Sequence, residues 1–229
     1  MEQRSIDFTT MGYNQTLAKI MNDKQDLDIE KGKWLFSGEC DFKIGATQLS
    51  HIPESDISEV AFAGLSNVGK SSLINALTNR NTLAKTSSTP GRTRQLNFFL
   101  LREVLTLVDL PGYGYARASK KDIKGWNDLT RKYLKGRPNL IRVFLLIDSR
   151  RGVKDSDRKI MDLLDESAVN YQIILTKSDK VKKLDVEKII SDIKAEAHKH
   201  IALHPDVIAT SSQKNIGIDL VRATIANFT

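Results

Sequence analysis

The sequence predicts an α/β fold in which a largely parallel sheet is covered by helices on both faces. Short apolar runs alternate along the chain with amphipathic stretches of helical spacing, and this alternation is typical of parallel strands joined by helical crossovers. A glycine-rich loop joins the first of these strands to the first of these helices. The chain of 229 residues is long enough for one such domain and a short extension.

Each predicted element rests on a local pattern. Apolar runs mark six strands, at 60–63, 96–101, 105–108, 143–147, 171–175 and 207–209. Apolar residues at helical spacing mark five helices, at 70–77, 126–134, 158–164, 186–197 and 218–226. Only three residues separate the second and third runs, too few for a crossover helix, so these strands are predicted to form an antiparallel hairpin. Residues 1–34 have weak periodicity and are interpreted as an N-terminal extension with one short helix, before a single domain at 35–229.

Composition excludes several classes of protein. The single cysteine, Cys40, cannot form an internal disulfide and is interpreted as a small buried thiol. No apolar run reaches the roughly 18 residues that a membrane span needs, and the first 25 residues are too polar for a signal peptide. We therefore expect a cytoplasmic protein, a monomer, without a membrane span.

A phosphate-binding motif follows the first predicted strand. Residues 64–71 read GLSNVGKS, which matches the pattern G-x-x-x-x-G-K-S, and a helix follows directly. The glycines allow the backbone to curl so that several N–H groups face phosphate oxygens, and the helix N-terminus adds partial positive charge. In this pattern Lys70 reaches the terminal phosphates and the Ser71 hydroxyl ligates Mg²⁺. The loop predicts a nucleoside triphosphate site but does not distinguish ATP from GTP.

Two later motifs identify the nucleotide. The run DLPG at 109–112 ends a predicted strand, where its carboxylate can hold Mg²⁺ through water and the Gly112 N–H can contact the third phosphate. The run TKSD at 176–179 ends another strand, and the Asp179 carboxylate can accept hydrogen bonds from guanine N1–H and its exocyclic amine. Adenine has no matching pair of donors and would leave this carboxylate unpaired, while the Lys177 stem can pack over either base. The three motifs together predict GTP or GDP as the ligand.

Longer stretches around these motifs resemble the EngB (YihA/YsxC) family of ribosome-biogenesis GTPases. The resemblance covers residues 34–228 and rests on SEVAFAGLSNVGKSSLINAL, TSSTPGRTRQLNFF, LVDLPGYGYA, LLIDSRRGVKDSD and LTKSDK. It implies a Ras-like P-loop GTPase domain, with a six-stranded, mostly parallel sheet, one antiparallel strand and helices on both faces. It also implies that Thr93 ligates Mg²⁺ in the GTP state and that the SSQ run at 211–213 backs the guanine.

The motifs and the resemblance together define the predicted site. The residues expected to act in catalysis are Lys70, Thr93 and Gly112, and those expected to hold Mg²⁺ are Ser71, Thr93 and Asp109. The residues expected to bind the nucleotide are Gly64, Leu65, Ser66, Asn67, Val68, Gly69, Lys70, Ser71, Ser72, Gly91, Arg92, Thr93, Arg94, Gln95, Asp109, Leu110, Pro111, Gly112, Thr176, Lys177, Ser178, Asp179, Thr210, Ser211 and Ser212.

Two positions depart from the commonest GTPase patterns. Tyr113 stands where Ras-type proteins carry a glutamine that orients the attacking water, and a phenol cannot reproduce the donor and acceptor of an amide. We therefore expect slow intrinsic hydrolysis that a partner or an ion accelerates. Thr176 replaces the asparagine of the N-K-x-D pattern. The loss of an amide that could join the base loop to the phosphate loop leads us to expect modest nucleotide affinity.

Asn67 has two interpretations. In related potassium-stimulated GTPases this loop position ligates a monovalent cation, and a bound K⁺ would neutralise charge in the transition state. An asparagine also tolerates a left-handed turn. The sequence leaves both open, and K⁺ is a candidate cofactor beside Mg²⁺.

Basic residues are concentrated in one segment. Residues 116–159 contain fourteen Lys and Arg against five Asp, a local charge of +9 in a chain whose net charge is +7. A basic face there would follow the 109–112 motif and bind ribosomal RNA through its phosphates. Farther on, His198, His200 and His204 are interpreted as a solvated helix end rather than a metal site.

Two functions are compatible with these observations. The resemblance implies a GTPase switch that acts in assembly of the large ribosomal subunit and is needed for normal cell division and septation. The alternative is a regulatory GTPase that binds a protein or membrane partner at the division site. The basic segment favours the first function, since a ribosomal partner is polyanionic.

Overall fold

The computed structural model describes residues 26–81, 83–84, 95–113 and 120–229, the last range with side chains from residue 128 onward. Seven strands form one sheet in this part of the chain, in the order β1-β3-β4-β2-β5-β6-β7. The strands are β1 (Cys40–Ala46), β2 (Ser58–Gly64), β3 (Leu96–Leu101), β4 (Leu105–Asp109), β5 (Leu140–Asp148), β6 (Tyr171–Thr176) and β7 (Ile208–Ala209). The helices are α1 (26–36), α2 (Lys70–Leu77), α3 (Lys120–Gly136), α4 (Asp155–Glu166), α5 (Lys183–Glu196) and α6 (Ile218–Ala226).

One strand of the sheet runs against the other six. Strand β3 pairs antiparallel with both β1 and β4, whereas the pairs from β4 through β2, β5 and β6 to β7 are parallel. The predicted hairpin is confirmed, with Asn97 paired to Asp109 and Leu101 to Leu105. The predicted α/β class with one antiparallel strand is confirmed too, although the sheet has seven strands rather than six.

The additional strand is β1, at the edge of the sheet. Only its end residues, Cys40 and Ala46, are fully buried, so the alternation that marks a half-buried strand is missing from its sequence. A register shift at Lys43 interrupts its pairing with β3. The interpretation of Cys40 as a buried thiol is confirmed, and burial raises its pKa to about 12.

Each face of the sheet carries its own apolar core. Helices α1, α2 and α6 cover one face through residues such as Phe36, Leu73 and Val221. Helices α3, α4 and α5 cover the other face through residues such as Tyr133 and Leu164. The central strands are buried on both faces, which explains their nearly continuous apolar sequence. Within the described ranges, no helix combines the length and the apolar character needed to cross a bilayer.

Helix α1 joins the predicted extension to the domain. Leu35 is buried in the core, and a Cβ atom on Gly32 would lie 2.5 Å from the backbone nitrogen of Ala223 in α6. The two helices are therefore in direct backbone contact. The predicted boundary between residues 34 and 35 falls inside this one packed helix, and we propose that the domain begins with α1.

The helix that follows the glycine-rich loop is held by a buried arginine. Arg222 of α6 is 7% exposed, and its guanidinium donates to the carbonyls of Leu77 and Ala76 at the end of α2, each at 2.9 Å. It also donates to the Asn79 side chain at 2.8 Å. These bonds satisfy carbonyl groups that a helix end leaves without partners in the helix. The position of α2 is thereby fixed from its C-terminal end.

Candidate nucleotide site

The carboxyl ends of β2, β4 and β6 meet at one edge of the sheet. These strands are parallel and β5 lies between β2 and β6, so the three predicted motifs are neighbours there. In open α/β sheets ligands bind at this edge. The predicted site residues that the structure places on these motifs are Gly64, Leu65, Ser66, Asn67, Val68, Gly69, Lys70, Ser71, Ser72, Asp109, Leu110, Pro111, Gly112, Thr176, Lys177, Ser178 and Asp179.

The loop between β2 and α2 has a backbone suited to phosphate. Gly69 has a φ of 109° at the N-terminus of α2, and Asn67 has a φ of 62°. Both residues lie in the left-handed region, which a glycine adopts freely and an asparagine tolerates. The turn expected at Asn67 is therefore confirmed. The curled loop and the start of α2 offer N–H groups and a positive helix end to a phosphate chain.

Two charged side chains meet beside this loop. The Lys70 ammonium contacts Asp109 Oδ1, and both side chains are almost fully buried. Each partner compensates the buried charge of the other. Asn97 Nδ2 lies 3.5 Å from Asp109 Oδ2, and the predicted site residue Gln95 donates to Asn97 at 2.8 Å. Sequence reasoning missed Asn97, although the predicted hairpin already placed it near Asp109.

The donors at this edge suit magnesium. Ser71 lies next to Lys70 in the first turn of α2, and Asp109 supplies a carboxylate from the adjacent strand β4. Hydroxyl and carboxylate oxygens are ligands that Mg²⁺ prefers, usually together with substrate phosphates. Thr93, the third predicted ligand, lies outside the described residues, as do Gly91, Arg92 and Arg94. Elsewhere in the described ranges no group of three or more His, Cys, Asp or Glu is arranged to hold a metal.

The segment after β4 runs beside the phosphate-binding loop. The Tyr113 N–H donates to the Gly64 carbonyl at 3.2 Å, and the Tyr113 carbonyl accepts from the Ser66 N–H at 3.1 Å. A Cβ atom on Gly112 would lie 3.1 Å from the Ser66 backbone, so glycine permits this close approach. The Tyr113 ring is buried in the core, and its hydroxyl donates to Asp157 at 2.7 Å. Burial, and then the nearby Asp157 carboxylate, raise the pKa of Tyr113 above its usual range.

The base loop and the phosphate loop are joined at two points. Thr176 Oγ1 donates to the Val68 carbonyl at 2.6 Å, and Lys177 Nζ donates to the Asn67 carbonyl at 2.7 Å. The expectation that a threonine here would lose the connection between the loops is wrong, because its hydroxyl bonds the phosphate loop directly. The modest affinity inferred from that loss therefore has no support in the geometry.

Asp179 offers an acceptor to a base. Its side chain is 8% exposed, and within the described part of the chain Oδ2 makes no hydrogen bond, although the Lys180 ammonium lies 3.2 Å away. A hydrogen bond from Ser211 lowers the pKa of this carboxyl, which is therefore ionised at neutral pH. The Ser178 N–H donates to the Thr210 carbonyl at 3.0 Å, so the predicted loop 210–212 lies against this motif. Guanine donors would satisfy the Oδ2 atom, which is costly to leave unpaired.

Asp148, at the end of β5, is a site residue that the sequence did not predict. Its two oxygens accept hydrogen bonds from Arg150 at 3.0 and 2.7 Å, and Oδ2 also accepts from Lys177 at 2.9 Å. Burial alone would raise its pKa, but the hydrogen bonds from Arg150 and Lys177 outweigh it and hold the pKa well below its usual range. Asp148 therefore fixes the lysine that joins the base loop to the phosphate loop.

Comparisons with known proteins agree with this geometry. Residues 59–177 match a family model described as 50S ribosome-binding GTPase. Over 203 residues the chain is 56% identical to the probable GTP-binding protein EngB of Rhodospirillum rubrum, covering 86% of this chain and 88% of that protein. The chain belongs to the EngB family. The protein of the same description from Gluconobacter oxydans is 50% identical over 212 residues and covers 93% of each chain.

Solved structures show the same fold. The crystal structure of a probable EngB protein has a TM-score of 0.60 at 22% identity, covering 75% of this chain and 98% of that one. Era from Aquifex aeolicus, bound to GDP and AlF₄⁻, has a TM-score of 0.61 at 19% identity, covering 76% of this chain and 57% of that one. At these identities the likeness establishes the fold alone. As a member of the EngB family, the chain is a GTPase of the Ras-like P-loop fold.

The described side chains of the basic segment do not form one face of this EngB-family domain. Arg137 is paired with the buried Glu59 near the start of β2, at 2.5 Å. Arg158 is paired with Glu196 of α5 at 2.7 Å, and Arg150 lies at the nucleotide edge. The expectation of a single basic face at 116–159 is corrected for the described side chains, because they lie at both ends of the sheet and several are already paired. Residues 116–119 and the side chains of 120–127 lie outside the described part of the chain.

The histidine group is also corrected in part. His200 is 7% exposed, and its Nδ1 atom lies 2.7 Å from a carboxylate oxygen of Asp165. It is a buried partner of α4 rather than part of a solvated helix end. His198 is exposed, as expected.

Proposed function

We propose that this EngB-family chain hydrolyses GTP slowly with Mg²⁺ and acts, as a cytoplasmic monomer, as a nucleotide-dependent switch in assembly of the large ribosomal subunit. Guanine binding is supported by the buried Asp179 oxygen that has no hydrogen bond in the described part of the chain. This residue belongs to the loop that is joined to the phosphate-binding loop. The ribosomal part is supported by the description of the matching family as 50S ribosome-binding. The need for this protein in normal cell division belongs to the same proposal.

Charge neutralisation is the main task in phosphoryl transfer. Lys70 would exchange its contact with Asp109 for the terminal phosphates, and the N–H groups of the loop would bind the remaining phosphate oxygens. Ser71 and Asp109, together with Thr93, would hold Mg²⁺, which supplies further positive charge when bound. Gly112 lies against the phosphate loop, where its N–H can donate a hydrogen bond to the third phosphate.

In its described residues, the segment after β4 offers no side chain that could orient the attacking water. The Tyr113 hydroxyl already donates to Asp157, so this side chain anchors the segment instead of orienting water. Leu110 and Pro111, which precede it, carry no polar side-chain atom. We therefore expect slow intrinsic turnover, with acceleration by a partner or by K⁺ at Asn67.

Potassium dependence has a direct test. GTP turnover is compared in KCl and NaCl for the wild type, Asn67→Ala and Asn67→Gly. Glycine keeps the left-handed backbone at this position while removing the amide. Stimulation by potassium that is lost in both variants supports a cation ligand. Equal wild-type turnover in the two salts would contradict the proposed K⁺ stimulation. If only the alanine variant loses the stimulation, the role of Asn67 is to form the left-handed turn.

The ribosomal partner is tested by co-sedimentation with purified large and small subunits. A non-hydrolysable GTP analogue, GDP and no nucleotide are compared at two salt concentrations. We expect large-subunit binding with the analogue alone, and its loss at high salt, because phosphate contacts release counterions. Binding to neither subunit would contradict the proposal and favour the alternative, a protein or membrane partner at the division site.

A further inference from the structure

The segment 148–157, between β5 and α4, has charges of opposite sign on its two sides. Three cationic side chains, Arg150, Arg151 and Lys154, are exposed along it. The carboxylates at its two ends, Asp148 and Asp157, are 6% and 1% exposed. The segment therefore presents three cations and one carboxylate, Asp155, outward and two carboxylates inward.

The inward carboxylates hold the two motifs that contact the nucleotide. Asp148 accepts from Lys177, which in turn donates to the carbonyl of the phosphate loop. Asp157 accepts from the Tyr113 hydroxyl with one oxygen, at 2.7 Å, and from the Lys154 N–H with the other, at 2.8 Å. One short segment thus connects the base loop at one end and the residue after Gly112 at the other.

The outward cations are free to bind an external anion. Within the described part of the chain, Arg151 and Lys154 have no carboxylate partner, whereas Arg150 is held by Asp148. Arg151 also borders a cleft lined by Ser66 and Asn67 of the phosphate loop. An anion held by these two cations would therefore lie next to the nucleotide site.

The residues that precede and follow the segment in the chain favour a phosphate backbone over a protein surface. Between Ile141 and Leu184, a stretch in which every residue is described, no large hydrophobic side chain is exposed. Protein interfaces depend on buried aromatic and aliphatic anchors, while contacts to nucleic acid backbones need cations and polar donors. The segment offers cations without apolar anchors.

We infer that segment 148–157 is the surface on which an RNA phosphate backbone docks, and that docking is coupled to the nucleotide through the Asp157–Tyr113 and Asp148–Lys177 contacts. This inference rests on the proposed ribosomal function and gives it a location. By linkage, if the GTP form binds RNA more tightly, bound RNA must raise the affinity for GTP by the same factor.

Docking is tested with the double variant Arg151→Ala/Lys154→Ala. Lys188→Ala/Lys194→Ala, which removes the same charge from two exposed, unpaired positions on α5, is the matched control. With the GTP analogue, we expect the first variant to bind large subunits at least about tenfold more weakly than the wild type. The slope of the logarithm of its binding constant against the logarithm of the salt concentration should be smaller by about one for each lost phosphate contact. Its affinity for the nucleotide alone should equal that of the wild type. Subunit binding equal to that of the control would overturn the inference.

Naked large-subunit RNA is the second probe and separates the two proposals. If the wild type binds this RNA but not the subunit, and the double variant binds neither, the result supports the RNA-docking surface and contradicts the ribosomal function. If the wild type binds neither the RNA nor the subunit, the result contradicts both the docking surface and the ribosomal function. Competition by polyglutamate as effective as that by RNA of equal charge would assign the surface to an acidic protein and overturn the RNA inference.

Coupling is tested with Tyr113→Phe, which keeps the buried ring and removes the donor to Asp157. The affinity for the GTP analogue is measured with and without saturating large subunits. We expect the wild-type ratio to be about fivefold or more, and the ratio in the variant to be smaller, because only the Asp148–Lys177 contact then couples the two sites. A purely structural role would lower the melting temperature without changing this ratio, and an unchanged ratio would refute the coupling.

Discussion

At the scale of single residues, we propose that one carboxylate oxygen decides which base the site accepts. Asp179 is ionised, nearly buried and bonded by Ser211, yet its Oδ2 atom has no hydrogen bond within the described residues. A ligand with two adjacent donors is favoured there, since a ligand without them leaves a buried acceptor atom without a hydrogen bond.

Asp179→Asn tests that dependence. The amide nitrogen can only donate, so it opposes the donors of guanine. We expect the affinity for GTP to fall about 100-fold, consistent with about 2–3 kcal/mol for a hydrogen bond to a charged group. Fluorescence titration measures it. Asp185→Asn, an exposed carboxylate at the start of α5, is the control, and an equal loss in both variants would contradict the assignment.

Asp148 makes stability depend on pH. Its pKa is held low in the folded protein by Arg150 and Lys177, against the effect of burial. The charged form therefore stabilises the fold fully above the unfolded pKa of about 3.9, and this contribution is lost as the pH falls below that value. We expect Asp148→Asn to be less stable than the wild type by about 1–3 kcal/mol at pH 7. Urea unfolding should show the difference shrinking below about pH 4; a difference that does not change with pH would refute this account.

At the scale of elements, side chains from distant helices hold the helix that carries the phosphate loop. Arg222 of α6 bonds the last carbonyls of α2, and α1 packs its backbone against the same α6 helix at Gly32. The loop that precedes α2 is therefore supported from the opposite end of its helix. Its geometry depends on packing that no local motif encodes.

Arg222→Met removes that support while keeping the apolar stem. The carbonyls of Leu77 and Ala76 lose a charged donor in a buried place, so we expect a loss of about 2–3 kcal/mol in the free energy of unfolding. Arg131→Met, on the surface of α3 and 3.9 Å from Glu166, is the control and should cost less than about 0.5 kcal/mol. Similar losses in the two variants, measured by urea titration, would show that the helix-end contacts contribute little.

Strand β1, which sequence reasoning missed, and helix α1, which it expected only as an unplaced short helix of the extension, share a physical cause. Strand β1 is buried only at its two ends, and α1 buries only Gly32, Leu35 and Phe36 near its C-terminus. Neither stretch repeats an apolar residue with the period of its structure, so periodicity could not find it. The central strands were predictable because burial on both faces demands apolar residues throughout.

The site residues that directly follow a strand in the chain could be predicted from the sequence. The contacts that these residues make with side chains from distant parts of the chain could not. The three motifs each follow a strand, so their convergence could be deduced from the parallel topology. The partners of Lys177 and Tyr113 could not, because Asp148 and Asp157 approach them from other elements. The hydroxyl of Thr176 was misjudged for the same reason, since its acceptor lies more than 100 residues away in the chain.

At the scale of the whole molecule, we propose that the domain begins earlier than the sequence indicated. Leu35 and Phe36 complete the core beneath α6, and Arg102 from the β3–β4 turn donates to the carbonyls of Trp34 and Leu35. This packing supports the proposal that helix α1 belongs to the domain, although the extension predicted at 1–34 includes part of it.

Truncation measures this contribution. A chain that begins at residue 37 lacks α1, whereas a chain that begins at residue 26 retains all of the described helix. We expect the shorter chain to be less stable by more than about 3 kcal/mol, since two fully buried apolar side chains are each worth about 1.5–3 kcal/mol. Thermal and urea unfolding of the two truncated chains would show it, and equal stabilities would place α1 outside the domain.

The two outer strands of the sheet have a consequence for the chain at high concentration. A long, regular outer strand is a template on which another polypeptide can continue the sheet, and such growth leads to aggregates. Here β7 is only two residues long, and the ladder of β1 is interrupted at Lys43, which brings a positive charge to the irregular position. Each copy of the sheet is therefore poorly suited to grow onto the next, which favours separate molecules in a crowded solution.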